Sequence, residues 1–240
     1  MTPTPLLTIA EDADALAHEV ALLIATRIGE AADRFSLNLS GGTTPRRIYE
    51  RLAVSDLGCP INWQKVNLFW GDERFVPADH EDSNFRMVRE ALLDHVPIPA
   101  AQIHPIPTSL TTPEQAAAAY AQTLKAYYQS ETLDAARPLF DLTLLGLGED
   151  GHTASLFPGT KALEERHAWV TAVIGAKPEP RITLTYPAIE SSREIVFIVA
   201  GAQKRAILDR LLANDQTLPA ARIASGGIIR IAADRAAAGH

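Results

Sequence analysis

A glycine-rich loop that carries a histidine is the segment of this sequence best suited to chemistry. The loop runs from Gly146 to Thr153 and follows the apolar segment Leu139 to Leu145, which predicts a buried strand. Histidine moves protons near neutral pH, so His152 is the candidate general base. Asp150 precedes it in the same loop and could hold the loop or orient the ring. We therefore expect catalysis to centre on His152 and Asp150, with Gly151 beside the substrate.

The spacing of the glycines in this loop also matches the dinucleotide-binding fingerprint G-x-G-x-x-G. Glu149 and Asp150 would place like charge against a pyrophosphate, and Pro158 interrupts the helix that should follow. No acidic residue ends a strand about 20 positions later, where the partner of the ribose belongs. The loop therefore disfavours a nicotinamide cofactor.

A second candidate loop, Ser40-Gly-Gly-Thr-Thr-Pro45, lies between a predicted strand and a predicted helix. A threonine hydroxyl in it predicts the N-cap, with Pro45 at the first helical position. Glycine lets a backbone approach an anion closely, and a helix N-terminus attracts negative charge, so the loop suits a phosphate. A tight, well-capped turn would have the same pattern, and the frame and lysine of a P-loop are missing. The candidate phosphate contacts are Ser40, Gly41, Gly42, Thr43 and Thr44.

Charged residues that directly follow another predicted strand form a third candidate group, Asp72, Glu73 and Arg74. The guanidinium of Arg74 can bind a phosphate or carboxylate through two parallel hydrogen bonds, or it can form a salt bridge with Asp72 or Glu73. We expect Asp72 and Arg74 to contact substrate, and Arg74 is also a catalytic candidate as a cation near a developing oxyanion. Lys177 and Arg181 are further candidate cations, although an ordinary exposed loop would look the same.

Helical and strand-like patterns alternate along the chain. Apolar residues from Asp12 to about Asp33 share one helical face, and Thr112-Pro-Glu-Gln115 is a capping box that opens another helix. Near-continuous apolar strands between helices predict an α/β fold with a doubly wound, mainly parallel sheet and helices on both faces. Ligands of such sheets bind at the carboxyl ends of the strands, so the three polar loops should meet at one edge. The predicted strands are Phe35 to Ser40, Val66 to Trp70, Leu139 to Leu145, Trp169 to Ile174, Ile182 to Tyr186, Ile195 to Ala200 and a short one from Ile228.

Composition narrows the classes of function. The 240 residues carry a formal charge of −7 at pH 7, which argues against nonspecific binding to nucleic acid or anionic membranes. Cys59 is the only cysteine, so an intrachain disulfide and a cysteine-based zinc site are excluded. No segment approaches the ~18 apolar residues of a membrane span, and the first residues lack the pattern of a signal peptide. We expect one domain over residues 1–240, located in the cytoplasm.

The three loops together resemble those of the 6-phosphogluconolactonase family. The resemblance is carried by Leu39-Ser-Gly-Gly-Thr-Thr-Pro45, by Trp70-Gly-Asp-Glu-Arg-Phe-Val-Pro77 continuing to Asp82-Ser-Asn84, and by Leu145-Gly-Leu-Gly-Glu-Asp-Gly-His-Thr-Ala-Ser-Leu-Phe-Pro158. Two shorter segments also fit, Arg181-Ile-Thr-Leu-Thr185 and Gly201-Ala-Gln-Lys204. It covers nearly the whole chain in the same order. It implies a Rossmann-like three-layer α/β/α sandwich and hydrolysis of 6-phospho-D-glucono-1,5-lactone in the pentose phosphate pathway, without a metal, nucleotide or other cofactor.

The resemblance also implies roles for the matching residues. His152 would be the general base for water attack, and the residues from Ser40 to Thr44 would contact the substrate. Arg74, Lys177 and Arg181 would contact anionic groups, with the phosphate and the lactone carbonyl not assigned among them. The partner would be a small sugar-phosphate lactone rather than nucleic acid or membrane, bound by a monomer or small homo-oligomer.

Two other functions remain open. The amino-sugar phosphate deaminases of the same fold usually have Asp-Glu-Tyr in place of Asp72-Glu-Arg74, and Asp-Gly-His-Ile-Ala-Phe-Asn-Glu in place of the segment Asp150 to Phe157. The glutamate missing here is a proton-transfer partner that ring opening and enolisation need. A noncatalytic sugar-phosphate sensor would carry a DNA-binding helix-turn-helix module, for which this chain has neither spare length nor basic charge.

Overall fold

The computed structural model describes residues 5–54 and 57–239. Residues 1–4, on which part of the signal-peptide expectation depends, lie outside the described residues. Within the described ranges, no helix is long and apolar enough to cross a membrane. The strands are β1 (Leu6–Ala10), β2 (Phe35–Leu39), β3 (Val66–Trp70), β4 (Asp72–Arg74), β5 (Ile103–His104), β6 (Phe140–Gly146), β7 (Val170–Val173), β8 (Arg181–Leu184), β9 (Ser192–Val199) and β10 (Ile228–Asp234). The α-helices are α1 (Ala13–Glu30), α2 (Thr43–Ala53), α3 (Asn84–Ala91), α4 (Pro113–Tyr128), α5 (Tyr186–Glu190), α6 (Arg205–Leu212) and α7 (Arg235–Ala238).

A seven-stranded parallel sheet forms the middle layer of the molecule. Its order is β1-β10-β9-β6-β2-β3-β5, and each pair of neighbours runs in the same direction. Every residue of β2 is buried, which requires cover on both faces of the sheet. The predicted three-layer α/β/α sandwich is therefore confirmed. Edge strand β1 is absent from the predicted strands, because its five residues adjoin prolines and have no clear periodicity.

Three further strands form a separate antiparallel sheet in the order β4-β8-β7. The sequence predicts strands near β7 and β8 but does not separate them from the parallel sheet, and it places Asp72–Arg74 in a loop rather than in a strand. The connection from residue 174 to residue 180 is too short for the crossover that a parallel pair needs, whereas it suffices for an antiparallel one. This small sheet supplies Asp72, Arg74 and Arg181 to the cavity described below.

The helix caps follow the sequence signals at α3 and α4 but not at α2. The hydroxyl of Ser83 accepts from the N–H of Arg86 at 3.2 Å, and that of Thr112 accepts from Gln115 at 3.2 Å. The prediction that a threonine caps α2, with Pro45 at its first position, is wrong. Gly42 is the N-cap because its φ of 108° suits glycine and few other residues, and no side chain of the described residues caps this helix.

Candidate active site

The three polar loops meet around one cavity at the carboxyl ends of the central strands, as the sequence predicts. The cavity has a volume of about 420 Å³. Ten of the predicted site residues line it: Ser40, Gly41, Gly42, Thr43, Thr44, Asp72, Arg74, His152, Lys177 and Arg181. Two predicted residues do not: Asp150 lines an adjacent groove, and the Cα of Gly151 faces Leu218. The cavity therefore brings together one imidazole, several cations and a helix N-terminus.

His152 is held by the carboxylate of Asp150. Its Nδ1 lies 2.5 Å from Asp150 Oδ1, and its backbone N–H donates to the same oxygen at 3.1 Å. Partial burial would raise the pKa of Asp150, but the hydrogen bonds from His152 outweigh it, so the pKa is lowered. With Nδ1 occupied in this way, Nε2 is the ring nitrogen left for proton exchange. The side chain of His152 is 28% exposed, so water can reach it.

Glycines give this loop its shape for a steric reason. A β-carbon on Gly148 would overlap the ring of His152, and Gly151 has a φ of 80° with Leu218 packed against its Cα. The N–H of Gly148 donates to the carbonyl of His152 at 2.9 Å, which closes the loop. The G-x-G-x-x-G spacing thus makes room for an imidazole, and the similarity to a dinucleotide fingerprint is incidental.

An aromatic ring packs on the other side of His152. The ring centroids of His152 and Phe157 are 4.6 Å apart with an interplanar angle of 47°, and Phe157 is buried. The Nζ of Lys177 lies 5.2 Å from the Phe157 centroid, a cation–π contact at the cavity wall. Phe157 stands near the position where the deaminase pattern has its glutamate, so the histidine here is flanked by an apolar ring on that side.

The three charged side chains of strand β4 alternate between the two faces of the small sheet. Asp72 and Arg74 face the cavity, while the buried carboxylate of Glu73 points away and accepts hydrogen bonds from the backbone N–H groups of Arg74, Asn84 and Phe85 at 2.7 to 2.8 Å. Burial raises the pKa of Glu73 more than these hydrogen bonds lower it. The guanidinium of Arg74 donates to the carbonyl of Asp82 at 2.5 Å. A salt bridge between Arg74 and Glu73, one of the alternatives from the sequence, is therefore not formed among the described residues.

Two arginines oppose each other in the small sheet. The antiparallel register pairs Arg74 with Arg181, and like charges in that relation repel. Burial lowers the pKa of Arg181, and the charge of Arg74 lowers it further, against smaller opposing effects of Asp72 and Glu179. Among the described residues, Nη1 of Arg181 is buried without a hydrogen-bond partner, and its Nη2 lies 3.6 Å from a Glu179 carboxylate oxygen. Such a donor and two adjacent cations favour an anion.

The loop from Ser40 to Thr44 is fixed by contacts on both sides. The N–H of Ser40 donates to the hydroxyl of Tyr49 at 3.0 Å, and that hydroxyl donates back to the carbonyl of Ser40 at 2.8 Å. A β-carbon on Gly41 would overlap the side chain of Asn84, so glycine is required there. Because no side chain of the described residues caps α2, its first N–H groups are available to an anion.

Four cavity residues with polar or aromatic side chains are missing from the predicted site: Asn84, Ser155, Phe157 and Lys204. The amide Nδ2 of Asn84 donates to the carbonyl of Asp72 at 3.0 Å, and the hydroxyl of Ser155 donates to the Asp72 carboxylate at 2.5 Å. All four lie inside segments that resemble the family, which is the signal that could have identified them. As isolated residue types, each is equally typical of ordinary packing.

Comparison with known proteins identifies the family. A family model described as glucosamine-6-phosphate isomerases/6-phosphogluconolactonase matches residues 11–230. The chain belongs to this family. The 6-phosphogluconolactonase of Synechocystis sp. is 47% identical over 204 residues, which cover 83% of this chain and 82% of that protein. The resemblance inferred from the three loops is therefore confirmed.

Solved structures agree with the family assignment. The structure of 6-phosphogluconolactonase from Thermotoga maritima is 30% identical and has a TM-score of 0.82, covering 96% of this chain and 99% of that one. A monomeric glucosamine-6-phosphate deaminase also has a TM-score of 0.82, over 98% of this chain and 99% of that chain, at 20% identity. The second likeness shows only that the fold is shared, so the choice between the two activities depends on the site.

Proposed function

We propose that the protein hydrolyses 6-phospho-D-glucono-1,5-lactone to 6-phosphogluconate in the oxidative pentose phosphate pathway. The observation that carries the proposal is the pairing of His152 with Asp150 at a cavity that also holds Arg74, Arg181 and a helix N-terminus. A lactone is an activated ester, so a base that deprotonates water is sufficient and no covalent nucleophile is needed. The names of two relatives, at 47% and 45% identity, support the same reaction.

His152 acts as general base in this proposal. Its Nε2 takes a proton from water as the water oxygen bonds to C1, and the same proton then passes to the ring oxygen as the C1–O bond breaks. Asp150 stabilises the imidazolium formed between the two steps, since it remains ionised beside Nδ1. The carboxylic acid formed at C1 loses its proton to solvent. General-base assistance of this kind contributes roughly 10²- to 10⁴-fold.

In the proposal, different groups of the cavity bind the phosphate of the substrate and the oxyanion that develops at its carbonyl. Arg181 and the N-terminus of α2 bind the phosphate, because Arg181 has an unpaired donor and α2 lacks a side-chain cap among the described residues. Lys177 and Lys204 add positive charge at the same cavity. Arg74 faces the lactone carbonyl, where a fixed cation stabilises the negative oxygen. Asp72 accepts a hydrogen bond from a ring hydroxyl.

The alternative functions have less support. Deamination of an amino-sugar phosphate needs a glutamate near the histidine in addition to the aspartate at position 150, and His152 instead packs on the apolar ring of Phe157. A noncatalytic sensor does not need a general base, whereas Asp150 holds the imidazole of His152 at the cavity. We also propose that the protein acts in the cytoplasm, supported by its acidic charge and single cysteine.

Kinetics on freshly generated 6-phosphogluconolactone test the proposal, with gluconolactone lacking the phosphate as the matched substrate. After spontaneous hydrolysis is subtracted, we expect a much higher kcat/KM for the phosphorylated lactone. Equal values would contradict a phosphate pocket. Ammonia release from glucosamine 6-phosphate, measured in parallel, would favour the deaminase instead.

A further inference from the structure

Ser155 joins the His152 loop to the two strands that carry the charges of the cavity. It is 1% exposed; its hydroxyl donates to Oδ2 of Asp72 at 2.5 Å, and its N–H donates to Oγ1 of Thr183 at 3.2 Å. The preceding residue, Ala154, has a φ of 47°, which is rare for a residue with a β-carbon. Such a conformation persists only where the surrounding contacts maintain it.

The register of the small sheet explains what this hydroxyl can control. Asp72 is paired with Thr183, and the next pair on the same face is Arg74 with Arg181. Diagonal neighbours on one face of an antiparallel pair lie within reach of long side chains, so Asp72 and Arg181 can meet. Among the described residues, the Asp72 carboxylate is bound instead by Ser155 and, at 3.5 Å, by Asn84. Nη1 of Arg181 has no hydrogen-bond partner among the described residues, so neither oxygen of Asp72 is bonded to it.

We propose that Ser155 is a positioning residue for anion binding, whose hydroxyl holds the carboxylate of Asp72 beside Thr183 and away from the guanidinium of Arg181. This inference rests on the proposed function, in which Arg181 binds the phosphate of the substrate. Held at a distance, Asp72 offsets part of the repulsion between the two arginines and leaves the N–H groups of Arg181 to the ligand. Without the hydroxyl, Asp72 turns toward Arg181 and competes with the phosphate.

A double-mutant cycle tests this role with inorganic phosphate as the probe, because phosphate has no hydroxyl for Asp72 to bind and needs no turnover. Calorimetric titrations compare the full-length wild type, Ser155→Ala, Asp72→Asn and the double variant. We expect Ser155→Ala to weaken phosphate binding by roughly 10- to 100-fold, the range for losing a hydrogen bond to a charged group. In the Asp72→Asn background, the same change should alter the affinity by less than about twofold, because no carboxylate remains to compete.

Kinetics supply a second readout that a merely structural role would not change. Ser155→Ala should raise KM for the phosphorylated lactone by a factor similar to that in phosphate binding, with kcat little changed. KM for unphosphorylated gluconolactone should rise much less, because there only the contact of Asp72 with a ring hydroxyl is lost. Thr183→Val is the matched control, because it removes a buried hydroxyl that contacts Ser155 but leaves the bond to Asp72 intact. It should bind phosphate as the wild type does, and thermal unfolding verifies that every variant is folded.

The outcomes separate this inference from the proposed function. Equal losses of phosphate affinity in both backgrounds would mean that Ser155 acts through loop packing, and would overturn the inference. Unchanged affinity in Ser155→Ala, or no phosphate binding by the wild type, would overturn it as well. If affinity falls equally in both backgrounds, or is unchanged in Ser155→Ala, lactone hydrolysis by the wild type would still support the proposed function. Binding of phosphate that depends on Ser155, without lactone hydrolysis, would support the inference and overturn the function.

Discussion

Arginines meet carboxylates at both ends of the central sheet, and the two ends differ in how the charges are paired. Near the amino end of β9, the side chain of Glu194 is 4% exposed and accepts from Nε of Arg27 at 2.8 Å and from Nε of Arg230 at 2.9 Å. At the carboxyl end, Arg74 and Arg181 face each other, and Nη1 of Arg181 has no hydrogen-bond partner in the described chain. Arginines that share a buried carboxylate form a structural cluster, whereas a buried arginine donor without a hydrogen-bond partner indicates a ligand site.

The directions of the pKa shifts follow the same division. The hydrogen bond to Glu194 is the main cause that raises the pKa of Arg27, whereas burial and then the charge of Arg74 lower the pKa of Arg181. The protein therefore stabilises the charge of one arginine and disfavours the charge of the other. A bound anion would favour the charged form of Arg181. Ligand binding would therefore offset the electrostatic repulsion between Arg181 and Arg74.

The strongest test of this division is His152→Ala, at the carboxyl end. Loss of the general base should lower kcat by roughly 10²- to 10⁴-fold, with little change in KM, because His152 contacts water rather than the phosphate. The measurement is lactone hydrolysis with the spontaneous rate subtracted, on protein whose thermal unfolding matches the wild type. An unchanged kcat would remove His152 from the mechanism and leave the cavity without an identified base.

Glu194→Gln, at the amino end, should lower stability and leave activity unchanged. Removing the charge that two arginines share should lower the free energy of unfolding by about 3 kcal/mol, since Arg230 loses its paired carboxylate and Arg27 keeps only the exposed Glu30. Urea denaturation measures this, and kcat and KM should stay at the wild-type values where the variant is folded. Glu30→Gln is the control: its side chain is 59% exposed in the pair with Arg27, so its loss should cost less than about 1 kcal/mol. Reduced activity of folded Glu194→Gln would show that the two ends are not independent.

Arg181→Met tests the carboxyl end through its effect on substrate binding. Loss of the unpaired donor and its charge should raise KM for the phosphorylated lactone by roughly 10- to 100-fold. The free energy of unfolding should stay the same or increase slightly, because the repulsion with Arg74 disappears. Arg230→Met is the counterpart at the amino end: it should lower the free energy of unfolding and leave KM at the wild-type value. A KM near the wild-type value in Arg181→Met would assign the phosphate to other cations.

The sequence predicts the three loops well because each one breaks an apolar strand with glycine or charge at a position where parallel strands end. It does not predict the opposition of Arg74 and Arg181, since that depends on the register of two short strands far apart in the chain. A buried serine such as Ser155 is typical of ordinary packing until the fold brings Asp72 against it. The cap of α2 is predicted wrongly because Gly42, rather than a hydroxyl, meets the conformational demand of the turn.

Asp150→Asn has the smallest expected effect and tests a third kind of pairing, in which a carboxylate and an imidazole act together. The lowered pKa of Asp150 means that its contribution to stability is fully present above its ordinary pKa and is lost only as the pH falls through the lowered value. The carboxylate is therefore ionised at neutral pH, where it stabilises the imidazolium of His152. An asparagine keeps an acceptor for Nδ1 but not the charge, so we expect kcat to fall about tenfold, the equivalent of one pKa unit.

The pH profile distinguishes this role of Asp150 from simple support of the loop. The acid limb of kcat/KM should be less steep in Asp150→Asn, because only the wild type loses an ionised Asp150 as the pH falls through the lowered pKa of that carboxyl group. A purely structural loss would lower the plateau and leave the limb in place. A less steep limb with unchanged phosphate affinity would also show that proton transfer and anion binding are separable within the cavity, because the cations that bind phosphate are not bonded to Asp150 among the described residues.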